Sequence, residues 1–185
     1  MTDWKKLKEE YPVYGNGTPI ADNGIYTVKV DGVAVGETPS GKHYVSVKFA
    51  EGDGVRYPDI KCWFMAKNPN FRKIYYSRLF EAFGVDEAGS EKAVDKAESA
   101  GDEAKIMDQY AQLLANAASK FHTELKIEIR DQERNGELVV SDKTGKPFKE
   151  AVFTNPGIRL GGGKRKTSAP VAENQDEITM DNIPF

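Results

Sequence analysis

Two strings of residues in this chain set flat rings beside cations at β-strand spacing. In His43-Tyr44-Val45-Ser46-Val47-Lys48-Phe49, alternation places Val45, Val47 and Phe49 on one face and Tyr44, Ser46 and Lys48 on the other. In Ile60-Lys61-Cys62-Trp63-Phe64-Met65, the residues Lys61, Trp63 and Met65 share one face, and Ile60, Cys62 and Phe64 the opposite one. Thr27 and Lys29, on an earlier alternating stretch, continue the lysine-bearing surface, and Arg56 and Tyr57 sit at its edge. A ring stacks on a nucleobase and a lysine or arginine meets a phosphate, with each stacked base worth about 1–3 kcal/mol. The chemistry these residues can do is therefore non-covalent capture of a single strand by Lys29, Tyr44, Lys48, Arg56, Tyr57, Lys61 and Trp63. Packing of Trp63 in the core is the competing expectation, and Tyr75 and Tyr76, on a helical stretch, are expected to be core.

A second constellation lies at the end of the sequence. Residues 161–185 open on Gly161-Gly162-Gly163 and stay polar until Asp181-Asn182-Ile183-Pro184-Phe185. A stretch of this composition cannot bury enough apolar area to offset its ordering entropy, so it reads as a flexible tail. Its last three residues do not fit a purely solubilising role. Pro184 restricts the backbone, so Ile183 and Phe185 are presented with little freedom left to lose. A carboxylate on Phe185 and the acid Asp181 then suit a small apolar pocket rimmed by Arg or Lys.

That tip resembles the C-terminal tip of bacterial and phage single-stranded DNA-binding proteins, which typically reads Asp-Asp-Asp-Ile-Pro-Phe. The likeness covers Asp181, Ile183, Pro184 and Phe185, with Asn182 where an acid is usual. It implies a protein that coats single-stranded DNA without strong sequence preference and recruits replication, recombination and repair proteins through residues 181–185. It also implies a cytoplasmic setting, that of the host for a phage protein, with no cofactor and no catalysis. The tail is shorter and less acidic than the bacterial pattern, and the body carries an insert that the compact bacterial domain lacks, so a phage-type or divergent member is the better likeness. Whether the chain forms a homo-oligomer, and whether DNA or RNA is preferred, is left open.

The elements that must position these residues follow from periodicity and turn chemistry. An N-terminal arm over residues 1–20 precedes a body over 21–160. Ile25 to Val30 and His43 to Phe49 alternate around Thr38-Pro39-Ser40-Gly41 and read as a hairpin, and Val55 to Met65 supplies a third strand. Asn68-Pro69-Asn70 breaks the sheet. Phe71 to Phe83 has a helical period, with Phe71, Ile74, Tyr75, Leu79 and Phe83 on one side and Gly84 as its stop. Residues 86–119 are rich in Ala, Glu, Asp and Lys; Glu103 to Lys120 is the firmer helix, and the polar run up to Gly101 reads as flexible. Strand character returns at Thr123 to Asp131. Asn135-Gly136 signals a hairpin whose return strand is Glu137 to Ser141, and Lys149 to Thr154 gives the last strand. Three strands, a helical segment over about 71–120, then two or three strands predict a mainly β (α+β) fold. The expected form is an OB-fold-like five-stranded barrel with an enlarged helical insertion between its third and fourth strands.

Composition bounds the alternatives. The chain has 185 residues, 39% hydrophobic, with a mean hydropathy of −0.59 and a net charge of −3. The acidity is local: residues 85–119 carry eight acids and three bases, and the tail four acids and three bases, so the remainder is mildly basic. No apolar run is long enough to span a membrane, and the N-terminus has no apolar leader segment. Cys62 is the only cysteine, and His43 and His122 cannot make a zinc site by themselves. No P-loop, GxGxxG, nucleophile elbow or triad is present. A metal-dependent nuclease with a recruitment tail, and a virion or scaffold protein without DNA affinity, remain the competing functions.

Overall fold

A computed structural model describes residues 18–155; the N-terminal arm up to residue 17 and the tail with its tip at 181–185 lie outside the described residues. The element order is β1 (Gly24–Glu37), β2 (His43–Phe49), β3 (Ile60–Trp63), α1 (Pro69–Ala82), α2 (Glu87–Glu98), α3 (Glu103–Phe121), β4 (Glu124–Asp131), β5 (Glu133–Arg134), β6 (Glu137–Leu138) and β7 (Lys149–Phe153). The fold is α+β: one antiparallel five-stranded sheet in the order β3-β2-β1-β4-β7, three helices between β3 and β4, and a separate two-stranded ribbon of β5 and β6.

β1 organises the sheet. Its first half, Gly24 to Lys29, pairs with β4, and its second half, from Val30 to Glu37, pairs with β2. The register slips between Val30 and Gly32, leaving Asp31 as an extra residue, and such a bulge bends a strand and raises its twist. The strand is far longer than the Ile25–Val30 run that alternation marks, because Asp31, Gly32 and Gly36 are residues strands avoid. β3 is correspondingly shorter than expected, since Gly52 and Val55 close a turn on each other and the chain straightens only at Ile60. The edge strands β3 and β7 come within 8 Å of each other (Cα–Cα), with no ladder between them among the described residues.

Each helix starts on a side-chain cap. Asn68 accepts from the Phe71 N–H at 3.1 Å with Pro69 at the first helical position, Asp86 accepts from the Gly89 N–H at 2.9 Å, and Asp102 from the Lys105 N–H at 3.0 Å. Hydrogen bonding from the Lys105 backbone and side chain holds the Asp102 carboxyl below its ordinary range. Gly84 (φ +101°) follows α1, where the chain needs a conformation that glycine adopts without strain. α2 forms where the composition suggested a flexible section: Ser90, Val94 and Ala97 fall on one face and are buried. On α1 the buried stripe is rotated from the expected one. Tyr76 and Phe80 are inside and Ile74 is 44% exposed, because the helix packs against both the sheet and α3.

The core lies between one face of the sheet and the helices. Val28, Val45, Val47, Cys62, Ile127, Ile129 and Phe153 meet Tyr76, Leu79, Phe80, Phe83, Met107, Tyr110 and Leu114. Each large side chain fully removed from water contributes about 1.5–3 kcal/mol. Tyr76 and Tyr110 stack at 3.8 Å, and the Tyr76 hydroxyl donates to the Cys62 carbonyl at 3.0 Å, tying the helices to β3. A buried ionic group ties the helices to one another. Arg72 donates from Nε and Nη2 to Glu98 Oε1 and Oε2 at 2.8 and 2.7 Å, Tyr110 donates to Oε1 at 2.6 Å, and Arg72 Nη1 donates to the Met65 carbonyl at 3.1 Å.

Candidate functional site

With Val45, Val47 and Phe49 sealed against the helices, Tyr44, Ser46 and Lys48 are forced to the opposite, outer face of β2. The β2–β3 register sets Tyr44 opposite Trp63 and Ser46 opposite Lys61. The outcome is a cluster: the Tyr44 and Trp63 rings lie 5.1 Å apart and tilted by 58°, and the Lys61 ammonium sits 4.7 Å from the Tyr44 ring centroid. Trp63 is half-buried against Tyr44 on this outer face, whereas Cys62 and Ile60 carry the core contacts of β3. Ser46 donates to Asp59 Oδ2 at 3.0 Å, which fixes that carboxylate at the border of the cluster.

The cations of the sheet divide into engaged and available ones. On β4 and β7, Arg130 and Lys149 are consumed by neighbours: Arg130 pairs with Glu150 at 2.6 Å, and Lys149 with Asp131 at 2.6 Å and Asn23 at 2.7 Å. The bond from Lys149 holds the Asp131 carboxyl below its ordinary range. Lys48 and Lys61 form no ion pair among the described residues, and Lys48 is exposed opposite Gly32. Both ammonium groups are free to meet an anion, Lys61 beside the two rings and Lys48 farther along the same face.

The other expected residues lie elsewhere. Lys29 projects from the β4-facing half of β1, directly across from Glu124. Arg56 donates from Nε to the Thr18 carbonyl at 3.0 Å, and its backbone clasps Pro19 and Ala21, so it fastens residues 18–21 to the β2–β3 connection. Tyr57 packs on Tyr26 at 5.4 Å near the start of β1, and burial followed by the charge of Asp53 pushes its phenol up. Tyr44, Lys61 and Trp63 are brought together on β2 and β3, with Lys48 four residues farther along the same face of β2; Lys29, Arg56 and Tyr57 are not part of that cluster. Tyr75 and Tyr76 are core, as expected of their place on a helical stretch.

Three features of the surroundings escape sequence reasoning. A cleft of about 500 Å³ runs between β3 and β7, with Lys61 and Trp63 on one bank, Lys149 to Phe153 on the other, and Tyr75 and Gln132 among its lining. The connection from β4 to β7 is a protruding arm. Its Asn135-Gly136 turn (φ 54° and 83°) is as the sequence predicts, but β6 ends at Leu138 and the ribbon stands apart from the main sheet. Arg134, Lys143 and Lys146 are exposed on the arm together with Leu138, Val140 and Phe148, an unusual density of apolar side chains for a loop. The third feature is Gly36, directly across from Tyr44. Glycine in a strand interior signals a close approach, but sequence alone does not show what approaches.

No helix among the described residues is long and apolar enough to cross a membrane. Compared with models of known protein families and with curated proteins, the sequence matches none.

Proposed function

We propose that this protein binds single-stranded DNA on the outer face of β2 and β3 and recruits replication, recombination and repair proteins through Asp181 to Phe185. The observation that carries the reading is the Tyr44–Trp63 pair with Lys61 over the Tyr44 ring and Lys48, without an ion pair among the described residues, on the same face. Rings stack on bases of any identity, and unpaired ammonium groups neutralise phosphates, so capture is tolerant of sequence and sensitive to salt.

The arrangement of elements favours an OB fold for this role. A bent first strand is shared by two half-sheets, helices stand between the third and fourth strands, and the outer strands approach each other. On that plan the β2–β3 face, the β1–β2 turn at Thr38–Lys42 and the arm after β4 form one continuous strand-binding surface. The protein then acts by binding, without catalysis or cofactor, in the cytoplasm where exposed strands occur.

Titration of oligo-dT, followed by tryptophan fluorescence and gel shift, tests the reading. Saturable binding that weakens steeply between 50 and 200 mM salt is expected. Absence of both quenching and shift at low salt refutes it. Metal-dependent loss of the oligonucleotide would instead favour a nuclease.

A further inference from the structure

The Tyr44 ring lies directly on Gly36. A Cβ placed at residue 36 would stand 2.4 Å from the Tyr44 Cζ and 2.6 Å from both Cε2 and the hydroxyl oxygen, closer than any real Cβ contact. The φ of Gly36 is not in the left-handed region, so glycine is not needed there for the backbone. What the position requires is the absence of a side chain. The atoms that would be struck belong to the far end of the Tyr44 side chain, which can swing about χ1 and χ2. A methyl group at 36 therefore moves the ring and leaves the sheet intact. Gly32, four residues earlier on the same outward row and opposite Lys48, has no neighbour within 4 Å of an added Cβ. The close approach is specific to the residue across from Tyr44.

We propose that Gly36 is a positioning residue for the single-strand-binding platform: its missing side chain lets Tyr44 lie down toward β1, in the pose that meets both Trp63 and Lys61. This rests on the function proposed above, since the pose matters only if the ring stacks on a ligand. Gly36 itself touches no base. Its effect passes entirely through Tyr44, so Gly36→Ala and Tyr44→Ala should remove the same interaction.

The test is a double-mutant cycle on the full chain, read by oligo-dT affinity, with Gly32→Ala as the control. Loss of one stacked base corresponds to about a 5- to 150-fold fall in affinity. Gly36→Ala is expected to fall within that range, Gly32→Ala to bind as wild type, and Gly36→Ala to cost nothing further once Tyr44 is alanine. The slope of affinity against salt should stay unchanged in Gly36→Ala, because the phosphate contacts remain. In a Trp4→Phe background, the emission of Trp63 without DNA should shift in Gly36→Ala and not in Gly32→Ala. Wild-type affinity with unmoved emission in Gly36→Ala overturns the proposal, as does an effect additive with Tyr44→Ala. Should Gly36→Ala fail to fold, Gly36→Ala/Tyr44→Ala must fold, because the struck ring is gone; failure of both overturns it too. If the wild-type chain binds no oligonucleotide while the emission shift is still seen, the ring placement stands and the proposed function falls.

Discussion

Replacing Glu98 with alanine leaves the Arg72 guanidinium with its charge and without its partner. The two side chains are 7% and 11% exposed and joined by two bonds of 2.7 and 2.8 Å. Removing one member of such a buried pair costs about 3–5 kcal/mol, chiefly because the survivor is buried uncompensated. About 140 described residues correspond to an unfolding entropy of about 0.3 kcal/mol per kelvin, so the melting temperature should fall by about 10–17 °C. Arg72→Met/Glu98→Leu removes both charges and fills the space with apolar atoms, and should recover most of that loss. The pH dependence has a definite sign. Burial alone would raise the Glu98 carboxyl, but hydrogen bonds from Arg72 and Tyr110 and the charge of Arg72 outweigh it and hold the group below its ordinary range. Its contribution is therefore present above the unfolded pKa of about 4.3 and fades as pH falls through the lower folded value. Thermal melts of wild type and Glu98→Ala should consequently draw together only as pH falls below about 4.3 and toward the lower folded value. A drop of less than about 3 °C at neutral pH, or a double variant no more stable than the single, would refute the assignment of this group as the fastener of the three helices.

Other outcomes follow from the same geometry. Trp63→Ala should lower oligo-dT affinity by about 5- to 150-fold while shifting the melting temperature by less than about 5 °C, because the indole is half-buried on the outer face. A large fall in melting temperature would mark Trp63 as core. Cys62 is fully buried, and burial pushes its thiol up to about 12 against an opposing hydrogen bond with Tyr75. A thiol reagent such as Ellman's should therefore find no reactive group in the native protein and one after denaturation; rapid native labelling would contradict the packing of β3. Phe185→Ala should leave strand binding intact and abolish co-purification of replication or repair enzymes. A large loss of strand affinity would show that residue 185 belongs to the strand-binding surface instead.

Alternation was enough to separate Val45, Val47 and Phe49 from Tyr44 and Lys48, and Lys61 and Trp63 from Ile60 and Cys62, because a strand's period is local and needs no knowledge of its partner. Register supplied what alternation lacked: only the β2–β3 pairing places Tyr44 against Trp63. Arg56 and Tyr57 are close to Lys61 in sequence, but the turn at Gly52–Val55 and the clasp on Thr18 direct them to a different part of the surface. α2 was illegible for a related reason. Its buried residues are Ser90, Val94 and Ala97, small groups that become core only because α1 and α3 lie against them. Gly36 carries no signal in the sequence of what approaches it, and only the ring across from it shows what the position requires.

The bulged strand β1 also bears on the order in which the chain can assemble. Its second half is joined to β2 across the short Thr38–Lys42 connection, but its first half must wait for β4, which begins only at Glu124. Closing a loop of about 95 residues costs about 2–3 kcal/mol more in chain entropy than closing one of about six. One continuous strand thus carries an early ladder and a late one, with Asp31 at the joint. Until the helices have folded and brought β4 alongside, Gly24 to Lys29 presents an open edge, and the outward Lys29 and Asp31 provide charges that discourage another chain from pairing there.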